Sequence, residues 1–143
     1  MAVTAKMYGN FILKALNKEV DWDSDTIKVM LCSALTIDQD GDIYLADVTK
    51  TEITGTGYTA GGATLASKTI GYTAGTNVIK LDAADLAWTT ATITARYVII
   101  YDDTPASNKP VLGYVDFGEN RSSTAGTFTI AWNTSGIATI TVS

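Results

Sequence analysis

Alternation of apolar and polar residues with a period of two is the feature that most constrains the fold of this chain. It is clearest at residues 127–132, which read Thr-Phe-Thr-Ile-Ala-Trp. Threonine is also the most frequent residue after Asp25. Its branched side chain favours the pleated surface of a strand over a helix. The pattern therefore predicts a mainly β protein.

Several shorter runs repeat this alternation, and turn-rich segments separate them. The apolar members of the runs are Ile27, Val29 and Leu31; Ile79 and Leu81; and Ala91, Ile93 and Ala95. Residues 96–101 are apolar on nearly both faces, which is typical of a central strand. Loops are expected at 102–110, 118–126 and 133–136. We predict one domain over residues 1–143, a single antiparallel β-sandwich of roughly eight strands, with a jelly roll as one possible arrangement.

The N-terminal stretch is the one place with a helical period. Its apolar residues recur at i, i+3, i+4, i+7 and i+8: Tyr8, Phe11, Ile12, Ala15 and Leu16. Thr4 is a plausible N-cap. The spacing predicts an N-terminal α-helix over about 4–17 whose apolar stripe packs against a sheet. The start of the sequence, MAVTAKMYGNF, lacks the basic and apolar regions of a signal peptide, which predicts a protein that is cytosolic when made.

The composition excludes several classes of function. The chain has no histidine, which removes the Ser-His-Asp and Cys-His arrangements and the commonest zinc ligand. Its single cysteine, Cys32, lies in the apolar run 27–32, where a buried hydrophobe is expected. A net charge of −5, without a basic cluster, argues against nucleic acid or an anionic membrane as a partner. We predict a protein that is not an enzyme and has no cofactor, catalytic residue or metal ligand.

The segment 55–62 reads GTGYTAGG and superficially resembles a dinucleotide-binding fingerprint. That fingerprint requires a helix after the glycines, whereas residues 63–70 alternate like a strand. We therefore interpret Gly55, Gly57, Gly61 and Gly62 as structural turn positions that allow close backbone approach. GYTAG recurs at 71–75, where it is interpreted as an echo in the next turn.

Other motifs also have structural interpretations. Asp38, Asp40 and Asp42 begin like a calcium loop, but Ile43 and Thr49 occupy the positions where an EF-hand has glycine and glutamate, so a solvated loop is favoured. Asp116-Phe117-Gly118 is interpreted as a strand end and turn. The pairs Asp82 with Asp85 and Asp116 with Glu119 could in principle act on a glycoside, although nothing in the sequence sets their separation. The candidate interface aromatics are Trp22, Tyr58 and Trp88, and Trp132 is expected in the core.

Taken in order, several phrases resemble a family of small structural proteins of tailed bacteriophages. The phrases cover 25–31, 55–65, 86–89, 94–101, 112–118, 126–133 and 136–137, so the similarity spans nearly the whole chain. Residues 38–48 match least. The family has no catalytic or ligand residues that can be transferred to this sequence.

The resemblance implies a virion component without enzymatic activity, most closely a capsid decoration or cement protein. The implied partners are the major capsid protein and other copies of the chain in a homo-oligomer, for example a trimer, with no nucleic acid and no membrane. The implied location is the capsid surface, after synthesis in the host cytoplasm. A tail or head-fibre component, a glycan-binding host-surface module and a carboxylate-dependent hydrolase are the alternatives.

Overall fold

The computed structural model describes residues 2–143 as nine strands and one short helix. The elements in chain order are β1 (Thr4–Met7), α1 (Phe11–Leu16), β2 (Ile27–Leu35), β3 (Lys50–Glu52), β4 (Ala63–Thr64), β5 (Thr69–Thr73), β6 (Val78–Asp82), β7 (Leu86–Asp102), β8 (Val111–Ile130) and β9 (Ala138–Thr141).

The strands form two antiparallel sheets. The large sheet has the order β1-β8-β7-β2-β3, with β4 paired to a second part of β2, and the small sheet has the order β5-β6-β9. The predicted mainly β fold, with two antiparallel sheets and one N-terminal helix, is confirmed. Residues 96–101 lie in β7 between β8 and β2, so the prediction of a central strand is also confirmed.

The long β7–β8 ribbon bends strongly. Phe117 and Phe128 both belong to β8, and their ring centroids are 6.3 Å apart. In a straight strand, residues this far apart in sequence would be separated by about 36 Å. Bulges account for the bend, because the β7–β8 register shifts repeatedly and Thr90, Gly118 and Ala125 have positive φ close to these shifts.

The two faces of the large sheet bury separate apolar clusters. The main cluster lies between the sheets and includes Ile27, Val29, Leu31, Val98 and Ile100. The smaller cluster lies on the opposite face and contains Tyr8, Met30, Cys32, Val48, Ile99, Tyr101, Val111 and Tyr114. The runs of apolar residues in β2 and β7 follow from this arrangement, since both faces of these central strands are covered.

The predicted helix over 4–17 is wrong at its start. Thr4, expected as the N-cap, begins β1, which pairs with residues 113–116 of β8, and the helix runs only from Phe11 to Leu16 with Asn10 as its N-cap. Backbone pairing with the edge of β8 stabilises residues 4–7 as a strand. This stabilisation outweighs the helical tendency that the apolar spacing indicates. Within residues 2–143 no helix is long and apolar enough to cross a lipid bilayer.

The predicted loop at 118–126 is also wrong, because this polar stretch is part of β8. Ser122 and Ser123 pair with Thr94 and Ile93 of β7, and the Ser123 hydroxyl donates to Ala91 O at 2.9 Å. Pairing with β7, which is partly buried, holds residues 118–126 extended, although most of the side chains of this segment are exposed.

Candidate binding surfaces

The GTGYTAGG segment crosses over β2 and β7, and the structure places all four of its candidate glycines at positive φ. Gly62 has φ +84°, and a Cβ there would lie 1.9 Å from Val29 O. At Gly55 a Cβ would lie 2.5 Å from Thr92 O. Side chains at these positions would push the segment off the strands, so the glycines let two backbones approach closely.

Three side chains fasten this segment to the large sheet. The Tyr58 hydroxyl donates to Glu52 Oε1 at 2.7 Å and accepts a hydrogen bond from Leu31 N at 3.1 Å. Gly61 N donates to the same Glu52 oxygen at 2.6 Å, and the Tyr101 hydroxyl donates to Gly61 O at 2.7 Å. The arrangement is a structural clasp in which neighbouring polar groups satisfy one another.

Two of the three candidate interface aromatics are not at the surface. Trp22 and Trp88 are buried in the main cluster, and Tyr58 is half-buried. Trp88 lies 6.2 Å from the ring of Tyr58 and 6.1 Å from that of Phe128. Trp22 and Trp88 are therefore wrong as candidate interface aromatics, because their large apolar rings fill the space between the sheets. Trp132 is half-buried and packs against the same cluster.

A groove of about 1120 Å³ lies beside β1 and β8. Its apolar lining includes Ala5 and Met7 from β1, Val115 and Phe117 from β8, and Ile137 before β9. Leu81 of β6 and Ala138 of β9 also line it, so residues of both sheets contribute to the groove. Such a groove suits an apolar segment of another molecule.

The charged residues of the described groove lining are Lys6 and Arg121, and the lining contains no carboxylate. Trp132 forms one wall, and its position is fixed by hydrogen bonds from its Nε1 to Ala84 O at 3.1 Å and from its backbone N to Asp85 Oδ1 at 2.9 Å. The groove therefore offers apolar contact and two cations.

The carboxylates considered for catalysis are each engaged elsewhere. Asp82 binds Lys80 at 3.0 Å, and Asp116 binds Arg96 at 3.2 Å. Glu119 binds Arg121 at 3.1 Å. Although burial raises the pKa of Asp116, its hydrogen bonds with the Arg96 side chain and the backbone of Gly118 lower it overall. These carboxylates act as ion-pair partners or as acceptors for backbone N–H groups.

The acidic segment 38–42 closes on itself. Asp38 Oδ1 accepts a hydrogen bond from Gly41 N at 2.9 Å, and Asp42 Oδ2 accepts one from Asp38 N at 3.1 Å. Among residues 2–143, no three side chains of the metal-binding types come together in a geometry that could hold an ion. The loop geometry is that of a hydrogen-bonded turn.

The sequence analysis did not predict two features of the structure, an exposed strand and a buried carboxyl. The first is β5, all five residues of which are exposed. This strand contains the first three residues of the second GYTAG, so Gly71 lies in a strand and only the end of the motif forms the turn.

The second feature is Asp102, a fully buried carboxyl at the end of β7. Burial and the neighbouring Asp25 carboxyl raise the pKa of Asp102 against the opposing hydrogen bond from Thr104.

No protein-family model, curated protein or solved structure matches this chain.

Proposed function

We propose that this chain is a non-enzymatic structural protein of a tailed bacteriophage, and that it decorates the capsid by binding the lattice of the major capsid protein. The observation that carries the proposal is the apolar groove beside β1 and β8, whose lining suits contact with an apolar segment of another protein. The choice of the major capsid protein as the partner rests on the resemblance of the sequence to phage structural proteins. A decoration protein acts by binding, so its main requirement is a rigid scaffold with a docking surface.

The proposed mechanism is bridging. An apolar segment of the major capsid protein occupies the groove and covers Ala5, Met7, Val115 and Phe117. Repetition of this modest contact over a symmetric shell produces strong total attachment, because each bound copy holds its neighbours at high local concentration. The net charge of −5 suits a surface that faces outward, away from packaged DNA.

The direct test is binding of the purified chain to shells that lack it, prepared from the phage that encodes it. We expect cosedimentation with the shells at a saturating ratio of many copies per particle. Failure of the wild-type chain to bind would overturn the proposal.

A matched pair of variants in β1 tests the role of the groove separately. Ala5→Glu places a carboxylate in the groove, whereas Thr4→Glu makes the same charge change on the adjacent residue, which does not line it. Both positions are exposed, so both variants are expected to fold. We expect Ala5→Glu to weaken shell binding by about tenfold or more and Thr4→Glu to leave it nearly unchanged. Equal binding by the two variants would show that another surface meets the shell.

A tail or head-fibre component and a glycan-binding module are the alternatives. The copy number per virion distinguishes a decoration protein from a tail or head-fibre component, since the former is present in hundreds of copies and a tail component in tens or fewer. The second is weakened by the burial of Trp22 and Trp88, which are not free to stack on a sugar. Binding to a glycan array with no binding to shells would favour it.

A further inference from the structure

The open edge of β5 lacks the features that usually protect an edge strand. Such strands are commonly blocked by charges, proline, a bulge or very short length. The sequence of β5, Thr69–Thr73, is TIGYT, without a charge or a proline, and it pairs with β6 over all five residues with no shift in register. Its outer edge is therefore a regular ladder that another strand can extend.

The hydrogen bonds of the small sheet identify the backbone groups on this edge. Val142 N donates to Asn77 O at 2.8 Å, so Asn77 and every second residue of β6 direct their peptide groups to β9. The intervening residues of β6 pair with β5, and the register turns the peptide groups of Gly71 inward to β6. The N–H and C=O groups of Ile70 and Tyr72 consequently face the open edge.

The side chains of Ile70 and Tyr72 are also uncovered. Ile70 lies opposite Leu81, which is buried in the main cluster, so Ile70 and Tyr72 share the apolar face of the small sheet. Nevertheless their exposed fractions are 53% and 57%. The strand thus combines free backbone groups with apolar side chains at the same edge, which is the combination that strand addition uses.

The sequence TIGYT is self-complementary about Gly71. In an antiparallel pair of β5 strands centred on Gly71, Ile70 lies opposite Tyr72 of the second copy, and Thr69 lies opposite its Thr73. Pairs of a β-branched with an aromatic residue, and Thr–Thr pairs, are the favourable cross-strand combinations. Ile70 and Tyr72 then exchange both of their free hydrogen bonds, and the two Gly71 residues form the closely spaced non-hydrogen-bonded pair.

We infer that β5 binds β5 of a second copy, and that this joins the two three-stranded sheets into one continuous sheet of six strands in a two-fold dimer. The strand is held ready for pairing, since Trp22 Nε1 donates to Thr69 O at 2.9 Å and Lys68 Nζ donates to Asp25 O at 2.8 Å. Such preorganisation reduces the entropy lost on association. The interface does not depend on capsid binding and is independent of the proposed function.

The opposite edge of the small sheet, β9, is the closest competitor. Its apolar side chains Ala138 and Ile140 are already half-buried, so pairing there covers less apolar surface than pairing through Ile70 and Tyr72. An interface made mainly by five-residue strands is small compared with a typical stable interface. We therefore expect a dimer that forms with increasing concentration, with a dissociation constant of the order of micromolar.

Cysteine cross-linking tests the register of the pairing. A Cβ at Gly71 meets no atom within 4 Å, so Gly71→Cys should fold normally. In the inferred dimer the two introduced residues face each other at a Cα separation of about 4.5 Å, within disulfide range. Thr73→Cys is the control, because that residue faces Thr69 of the second copy. Under mild oxidation we expect a disulfide-linked dimer from Gly71→Cys to form about tenfold faster than from Thr73→Cys.

Sedimentation velocity over a range of concentrations tests the edge itself. Ile70→Lys places a charge on β5 and should give a monomer, whereas Thr141→Lys places the same charge on β9 and should leave the dimer intact. A wild-type chain that is monomeric at every concentration, or that forms a trimer, would overturn the inference. So would equal cross-linking of the two cysteine variants, or loss of the dimer in Thr141→Lys alone. None of these measurements uses shells, so they test the dimer separately from the proposed function.

Discussion

The Tyr58 hydroxyl donates a hydrogen bond to Glu52 Oε1 at 2.7 Å and, at the same time, accepts one from the backbone N of Leu31 at 3.1 Å. This phenol links the glycine-rich segment to β2 and β3. Burial is the main cause of a raised pKa for Tyr58, and its hydrogen bond to Glu52 contributes, so the hydroxyl keeps its proton and remains a donor. The most recognisable phrase of the sequence thus has a structural role.

Tyr58→Phe should therefore destabilise the fold. The change removes the acceptor of Leu31 N, in the buried part of β2, and a donor to Glu52, which costs about 1–3 kcal/mol in the free energy of unfolding. Tyr72→Phe is the matched control, since the Tyr72 hydroxyl bonds only Asn77 Oδ1 on the exposed hairpin, at 2.9 Å. Urea unfolding of the two variants measures the difference. Equal stability of both would contradict the role assigned to Tyr58.

Gly62→Ala should cost about 3 kcal/mol or more, because the added Cβ collides with Val29 O and the residue must keep a positive φ. Gly75→Ala should change stability by less than about 1 kcal/mol, since a Cβ at Gly75 meets no atom within 4 Å. Thermal unfolding of both variants compares the glycine that follows the first GYTAG with the last glycine of the second. A strongly destabilised Gly75 variant would contradict this account.

Asp102→Asn should remove one contribution to the pH dependence of stability. Asp102 is fully buried, Thr104 N donates to its Oδ1 at 2.8 Å, and its Oδ2 has no donor among the described residues. Because the pKa of Asp102 is raised in the folded state, its contribution is most favourable when it is protonated. That contribution is lost as the pH rises from the unfolded pKa of about 4 through the folded pKa.

The difference between the two proteins isolates this group, since all other titrating residues are shared. We expect the Asn variant to be more stable than the wild type by about 1 kcal/mol at pH 7 and to lose that advantage below about pH 4. Denaturant unfolding at several pH values provides the measurement. A stability difference that does not change with pH would rule out the raised pKa.

Cys32 should be unreactive in the native protein. It is fully buried in the smaller apolar cluster, and burial raises the pKa of its thiol to about 12. Because the thiolate is the reactive form, a thiol reagent at pH 8 should label the folded chain at least about a hundredfold more slowly than the unfolded chain. Comparable labelling rates would show that the cluster opens readily.

The parts of the fold predicted correctly are those in which local pattern and tertiary contact agree. The alternation at Ile27, Val29 and Leu31 marked β2 because these side chains face the main cluster, and the apolar run 96–101 marked the centre of β7. The glycines at 55, 57, 61 and 62 could be interpreted from composition, since few other roles suit glycine before an alternating segment.

The parts that were missed depend on contacts distant in sequence. The polar sequence of 118–126 is typical of a loop, but pairing with β7 holds the segment extended. Nothing in the local sequence indicates this pairing. Trp22 lies among aspartates in sequence, yet its indole reaches Thr69 O across the fold and its ring joins the main cluster. The groove could not be predicted either, because its lining combines residues of β1, β8 and the small sheet that are distant in sequence.

The central claim is that the chain binds a phage shell through its groove, and quantitative binding to shells that lack the chain tests it most directly. We predict saturable binding of hundreds of wild-type copies per shell, weakened in Ala5→Glu and retained in Thr4→Glu. A folded wild-type chain that shows no association with those shells would contradict the claim.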